Sequence, residues 1–148
     1  MKYEKYQLES DKELLLFEFE SVGPKGRILK IVQYTETNLK DYYNLGFEDK
    51  NITTGQLDDK IITNNGDSQQ VLATVASTVY AFTDKYPKAY IYAKGSNHVR
   101  TRLYRMGITN NLLTIKKDFY VWGLSDNKWH EFKKDEEYKA FLILRKKK

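Results

Sequence analysis

The sequence predicts an α+β fold with a mostly antiparallel, twisted sheet and two main helices. Short alternating or aromatic runs separated by glycine, proline and asparagine turns fill the first part of the chain, which is typical of antiparallel strands. One long pattern with helical periodicity follows, and short apolar runs then return. The expected architecture is an N-terminal meander, two helices packed on the sheet, and a C-terminal hairpin.

The first predicted element is a hairpin. Residues 14–20 place Leu15, Phe17 and Phe19 on one face of a half-exposed strand. The sequence Gly-Pro-Lys-Gly at residues 23–26 has a proline at the second turn position and a glycine at the fourth, so residues 27–35 are expected to return as a second strand.

Two further strands complete the predicted meander. Residues 42–47 carry the tyrosines and phenylalanine of a third strand, in which Gly46 indicates a bulge or a close backbone approach. Residues 57–63 are expected to form a fourth strand, and Asn-Asn-Gly at residues 64–66 is a turn signal.

The first helix is predicted from Asp67 to near Tyr86. Asp67 and Gln70 make a capping box, and Pro87 prevents the helix from continuing. The apolar residues repeat at three and four positions, at Val71, Leu72, Val75, Val79 and Phe82. The short aromatic run at residues 89–93 is then expected to be a buried strand parallel to the strand near Ile61.

The second helix is predicted to begin at Ser96 and to stop at Gly107. Val99, Leu103 and Met106 lie on one face of this helix. We therefore predict that Leu103, like Val75 on the first helix, lies on a buried face.

Residues 112–124 are interpreted as a strand, residues 125–128 as a turn, and residues 129–133 as the strand that pairs back. The last apolar run, residues 140–144, is short enough to be a strand. No internal repeat or linker occurs, so residues 1–148 are expected to form a single domain.

The composition excludes several classes of function. The chain has no cysteine, which rules out disulfides, thiolate metal sites and a cysteine nucleophile. The N-terminus is charged and no run is apolar enough to span a membrane, so we expect a cytoplasmic protein that does not contact membranes. The net charge of +5 favours an anionic partner.

The best candidate for a binding site is the start of the second helix. Its proposed contact residues are Ser96, Asn97, Arg100, Arg102 and Arg105. Guanidinium groups bind phosphate or carboxylate through paired hydrogen bonds, and the free amides of a helix start also attract anions. RNA, DNA or an acidic protein is the expected partner. The alternative is a solvated helix face paired with acidic residues elsewhere.

A second basic cluster lies at the first hairpin. Lys25 and Arg27, with Lys30 nearby, form a basic finger for a phosphate or, alternatively, keep an edge strand from pairing with another chain.

No metal site is predicted. Asp58 and Asp59, with Asp67, are the carboxylates that would hold Mg²⁺, but adjacent strand residues point to opposite faces and serve one ion poorly. His98 is the candidate general base because it lies beside the arginines, and Tyr104 is the other candidate catalytic residue.

The segment at residues 57–123 resembles the second half of the acyl-CoA N-acyltransferase superfamily. The residues that carry the resemblance are Asn97, Leu103, Tyr104, Gly107 and Ile108. The resemblance implies a β-α-β-α core. That family has a basic, glycine-rich turn for the cofactor pyrophosphate, whereas residues 64–70 have one glycine, an aspartate and no lysine or arginine. We therefore expect no cofactor.

The whole chain also resembles a group of small uncharacterised bacterial proteins. The shared features are the Gly-Pro-Lys-Gly hairpin, the Asn-Asn-Gly-Asp turn and the Arg-x-Arg-Leu-Tyr helix. Some of these proteins resemble parts of toxin–antitoxin or mobile loci. The hypothesis is a non-catalytic binding domain with an arginine-rich helix. The alternative is an enzyme, either a divergent acyl-CoA N-acyltransferase or a metal-independent RNA-cleaving toxin.

Overall fold

A computed structural model describes residues 4–50, 57–58, 65–95 and 97–147 of the chain. In chain order, the elements are β1 (Glu9–Ser10), β2 (Leu16–Gly23), β3 (Gly26–Glu36), β4 (Tyr42–Lys50), β5 (Leu57–Asp58), α1 (Ser68–Lys85), β6 (Tyr90–Ala93), α2 (His98–Asn110), α3 (Leu112–Asp118), β7 (Phe119–Ser125), β8 (Lys128–Glu131) and β9 (Ala140–Arg145). The strands form one sheet in the order β1-β2-β3-β4-β6-β9-β7-β8, with β5 also paired to β4. The α+β class and the mostly antiparallel sheet are confirmed.

The N-terminal meander is confirmed, with one correction. Strands β2 and β3 pair up to the Gly23–Gly26 turn, where Gly26 has a φ of +90°. Strands β3 and β4 keep a continuous register in which Gln33 lies opposite Gly46. A Cβ atom at Gly46 would lie 3.6 Å from Oε1 of Glu48 and 3.8 Å from the Gln33 carbonyl oxygen, which are ordinary contacts. Neither the bulge nor the close backbone approach predicted at Gly46 is therefore present, and β4 runs on to Lys50.

The parallel pair is present, but its partner strand was predicted wrongly. Strand β6 pairs in parallel with β4, from Tyr42 opposite Tyr90 to Leu45 opposite Ala93. Strand β5 instead pairs antiparallel with the end of β4. The rest of the predicted strand at residues 57–63 lies outside the described residues.

Helix α1 has the predicted apolar stripe, and all five residues of that stripe are buried. Thr74, Thr78 and Thr83 are buried with it, and their hydroxyls donate to backbone carbonyls of the preceding turn. This intrahelical pairing lets a polar residue enter an apolar interface. The helix ends at Lys85, and its C-cap Tyr86 stands immediately before Pro87, in agreement with the predicted end near Tyr86.

The segment at residues 112–124 is not one strand. Its first half is the helix α3, and the strand β7 begins only at Phe119. Leu112, Ile115 and Phe119 recur at helical spacing and pack into the core, while Leu113 is 81% exposed. Lys116 and Lys117 lie in the last turn, where positive charge suits a helix end.

The C-terminal hairpin is confirmed. Asp126 and Asn127 both have positive φ, of 52° and 61°, as a two-residue hairpin turn requires. Strand β9 is also confirmed as a strand, and it pairs antiparallel with both β6 and β7.

The three helices pack on one face of the sheet. Phe82 of α1 stacks on Tyr34 at 4.1 Å between ring centroids, and Tyr104 and Ile108 of α2 meet the same face near Leu45. Aromatic side chains occupy the opposite face, where their rings contact one another: Tyr42, Tyr90, Tyr92, Tyr120, Trp122 and Trp129. None of the described helices is both long and apolar enough to cross a membrane.

Candidate functional site

Helix α2 begins with an asparagine cap. The Asn97 side-chain oxygen accepts a hydrogen bond from the Arg100 backbone N–H at 2.9 Å. This satisfies one of the free amides at the helix start. The predicted cap and binding residue, Ser96, lies outside the described residues.

The predicted stop at Gly107 is wrong, because α2 continues to Asn110. A Cβ atom at Gly107 would lie 3.1 Å from Cδ2 of Leu72 on α1. The glycine therefore permits a close approach between two helices and does not end one of them.

The structure separates the three predicted arginines. Arg100 is 2% exposed, and its guanidinium carbon lies 5.1 Å from the ring centroid of Phe47. Arg102 is exposed, and Arg105 is half-buried and donates to the Glu136 carbonyl at 3.3 Å. Arg100 thus packs inside the protein, whereas Arg102 and Arg105 remain at the surface.

The buried face of α2 is also different from the predicted one. Arg100, Tyr104 and Ile108 are buried and recur every four residues. Of the predicted apolar face, Val99 is 64% exposed and Met106 is 38% exposed, while Leu103 is half-buried against the core. Leu103 is thus only partly buried, which corrects the prediction that it lies on a buried face, whereas the same prediction for Val75 is confirmed.

Tyr104, the candidate catalytic tyrosine, is only 6% exposed. Burial raises the pKa of its hydroxyl to about 12, although the nearby Arg100 charge acts in the opposite direction. Tyr104 is therefore neutral at physiological pH. His98 is exposed at the start of α2.

Stability is expected to fall as the pH rises from about 10 to about 12. An unfolded tyrosine ionises near pH 10, whereas folded Tyr104 and Tyr80 have pKa values raised to about 12 by burial, aided at Tyr80 by its bond to Asp118. In this interval the folded state keeps protons that the unfolded state has lost, so alkali favours unfolding. Urea unfolding between pH 9 and pH 12 measures how steeply the free energy of unfolding falls with pH. This slope should be shallower in Tyr104→Phe. An identical slope in the variant would contradict this assignment.

A groove with basic residues on one wall lies along the exposed side of α2. We call it the basic groove. Its volume is 410 Å³, and its lining residues are His98, Thr101, Arg102, Arg105, Glu137 and Tyr138. Asn97 and His98 also line a neighbouring depression of 690 Å³. Arg102 and Arg105 thus share one surface, as their three-residue spacing predicts.

A second cavity opens between α2, the start of α1, and strands β3 and β4. We call it the apolar cleft, and its volume is 260 Å³. Its apolar walls come from Phe47, Val71, Val99, Leu103 and Met106. Arg102 lines both the apolar cleft and the basic groove, so the two cavities are neighbours.

A buried ion pair lies at the floor of the apolar cleft. Lys30 on β3 is directly opposite Asp49 on β4, and Nζ of Lys30 lies 2.6 Å from Oδ1 of Asp49. The Lys30 side chain is 2% exposed. Such a pair is expensive to desolvate and is stable only while both charges remain.

The predicted basic finger is divided between two environments. The Lys25 backbone N–H donates to the side chain of buried Asn65 at 2.7 Å, which ties the hairpin turn to the rim of the apolar cleft. The Arg27 side chain instead pairs with Glu20 at 3.0 Å, and both side chains are exposed.

Asp67 does not cap α1 with its side chain, which corrects the predicted capping box. Its Oδ2 atom accepts hydrogen bonds from the hydroxyls of Tyr6 and Ser21, both at 2.5 Å. Partial burial, followed by the bond to Asp67, raises the pKa of Tyr6. The carboxylate therefore anchors the N-terminal segment to the start of α1.

No group of three metal-ligating side chains occurs in the described part of the chain. Of the carboxylates considered for Mg²⁺, Asp59 lies outside the described residues, and the Asp67 carboxylate holds two hydroxyls.

Sequence reasoning missed the pairing of Lys30 and the tyrosine bond of Asp67. The sequence does contain a pattern that indicates the ion pair of Lys30 with Asp49. Lys30 alternates with Ile28 and Val32, and Asp49 follows Phe47 by two positions, so both charges fall in the inward register of their strands. Charges of opposite sign in inward positions of neighbouring strands indicate a buried pair.

Fold and site together define an α+β protein in which helices cover one face of a sheet and form an apolar cleft beside a basic groove. The chain belongs to DUF6934, a family of unknown function whose model matches residues 2–146. The predicted membership of a family of uncharacterised proteins is thereby confirmed. Neither a curated protein nor a solved structure matches the chain, and the likeness to acyltransferases stays a prediction.

Proposed function

We propose that this protein is a non-catalytic binding domain whose anionic partner lies along the basic groove of α2. The observation that carries the proposal is the placement of Arg102, which is exposed and lines both the groove and the apolar cleft. Arg105 and His98 line the same groove. Guanidinium groups at a surface bind carboxylate or phosphate through paired hydrogen bonds.

An acidic protein is a better partner for this surface than a nucleic acid. Proteins that hold single strands offer exposed rings on which bases stack. Of the described residues that line the two cavities, Phe47 and Tyr138 are only 3% and 7% exposed, which leaves His98 as the exposed ring. Exposed Val99 and Met106 instead suit apolar side chains.

Arg102→Ala and Arg105→Ala are each expected to weaken binding of an acidic peptide roughly tenfold, because a charge-assisted hydrogen bond is lost. Folding should be nearly intact, since surface charges contribute little stability. Fluorescence anisotropy with labelled oligoglutamate and labelled single-stranded RNA, at several salt concentrations, measures the effect.

Lys85→Ala is the matched control, because Lys85 is exposed in the last turn of α1, at the opposite end of that helix from the apolar cleft. It should bind like the wild type. Tighter binding of RNA than of oligoglutamate would favour the nucleic-acid hypothesis, and no binding of either at low salt would refute the proposal.

The acyltransferase alternative draws support from one observation. Elements β4, α1, β6 and α2 follow in that order, with the two-residue strand β5 between β4 and α1, and β4 and β6 are parallel, which resembles a β-α-β-α arrangement. The start of α1, however, carries Asp67 and no basic residue between Asn64 and Gln70. Negative charge at a helix start opposes a pyrophosphate.

We therefore expect no binding of acetyl-CoA at micromolar concentrations in isothermal titration calorimetry. Oligoglutamate titrated under the same conditions is the positive comparison. A micromolar dissociation constant for acetyl-CoA would make the enzyme hypothesis the leading one.

The RNA-cleaving alternative requires His98 and Tyr104 to act on one substrate. Tyr104 is buried, and burial raises its pKa to about 12, far above physiological pH, which disfavours it as an acid–base group. A cytoplasmic protein encoded in a toxin–antitoxin locus is compatible with an acidic protein partner. Identifying the genes next to this one tests whether the locus is of that kind.

A further inference from the structure

We propose that the apolar cleft is an anchor pocket for one aliphatic side chain of the acidic partner. The segment of the partner that is recognised then contains a leucine, isoleucine or methionine. The acidic residues next to it face Arg102. This inference rests on the proposed function and adds the identity of the recognised segment.

The walls of the apolar cleft are exposed where a partner can reach them. Val99 is 64% exposed and Met106 is 38% exposed, although both lie on a helix whose opposite face is buried. Val71 closes the inner wall and is 5% exposed. A volume of 260 Å³ accommodates one aliphatic side chain with part of its backbone. Such a side chain would remove apolar surface from water on both partners.

The cleft favours an aliphatic group over a planar ring. Among the described residues that line the cleft, Phe47 carries the one ring. This ring is buried, stacks on Phe19 at 6.4 Å between centroids, and lies beneath the Arg100 guanidinium at 5.1 Å. The remaining apolar walls are valine, leucine and methionine side chains. Methionine adapts its shape to different aliphatic groups.

The charges around the cleft restrict where the acidic residues of the partner lie. At the floor, Lys30 is already neutralised by Asp49 at 2.6 Å. At the α1 side, the Asp67 carboxylate repels another carboxylate. At the α2 side, Arg102 is exposed and continues into the basic groove. The anchor residue must therefore be neutral, and its acidic neighbours must point toward α2.

A random peptide library displayed on phage and selected against the immobilised full chain tests this inference. We expect enriched peptides with an aliphatic residue that has glutamate or aspartate beside it. Enrichment of acidic residues without an aliphatic one would overturn the anchor pocket and leave the proposed function standing. Enrichment of neither would refute the proposed function and the anchor pocket together.

Variants then locate the site of the enriched peptide. Replacing its aliphatic residue by alanine should weaken binding roughly ten- to a hundredfold, which corresponds to the burial of one such side chain. Val99→Asp should weaken binding at least as much. Leu113→Asp is the matched control, because Leu113 is an equally aliphatic residue, 81% exposed, on α3.

Melting curves of both variants exclude a folding defect. Equal binding by Val99→Asp and Leu113→Asp would show that the apolar cleft is not the contact and would overturn the inference.

Discussion

Replacing Lys30 by methionine is expected to lower the free energy of unfolding by about 3–5 kcal/mol, the usual cost of leaving one buried charge without its partner. Lys30 is 2% exposed, and its Nζ lies 2.6 Å from Asp49. Methionine keeps most of the side-chain volume, so the decrease in the free energy of unfolding comes from removal of the charge and not from a cavity. Urea unfolding at neutral pH, followed by circular dichroism, measures it.

Two further variants make this test specific. The double variant Lys30→Met with Asp49→Leu should recover most of the stability, because it removes both charges. Lys85→Met breaks the exposed pair with Glu13, at 3.4 Å, and should cost less than about 1 kcal/mol. A loss in Lys30→Met no larger than that in Lys85→Met would contradict the buried pair.

Phe82→Ala is expected to lower the free energy of unfolding by about 3–5 kcal/mol, since truncating a buried phenylalanine removes transfer energy and leaves a cavity. Phe82 is fully buried, stacks on Tyr34 at 4.1 Å between ring centroids, and meets the rings of Tyr43 and Tyr86 edge-on or tilted. It thus joins α1 to the sheet.

Phe82→Leu should lose clearly less stability than Phe82→Ala, because it keeps much of the volume. Equilibrium unfolding of the three proteins gives the comparison. A loss below about 1 kcal/mol in Phe82→Ala, well under the value for a core aromatic, would mean that α1 does not pack on the sheet in this way.

Helix α1 was predictable because its signals are local and agree with one another. Its apolar residues repeat over about three turns, from Val71 to Phe82, and Pro87 follows its end. Helix α3 was not predictable, because Leu112 and Ile115 belong to an apolar run too short to distinguish a helix from a strand. The parallel partner of β6 was mistaken because pairing is a non-local choice between strands.

In the candidate site, the side chains whose positions depend on residue spacing along α2 were predictable. Arg102 and Arg105 share a surface because they are three residues apart. Arg100 is buried because it lies four and eight residues before Tyr104 and Ile108, so it belongs to their stripe. The apolar cleft depends on how α2 is rotated against the sheet, which no local pattern in the sequence specifies.

The central claim is that an acidic partner binds along the basic groove of α2. Titration of the ¹⁵N-labelled protein with oligoglutamate at low salt, followed by amide chemical shifts, tests it most directly. We expect the shift changes to cluster at residues 97–106 and at Glu137 and Tyr138, and to require roughly tenfold more oligoglutamate in Arg102→Ala but not in Lys85→Ala. Shifts concentrated on the aromatic sheet face, or a titration unchanged in Arg102→Ala, would contradict the claim.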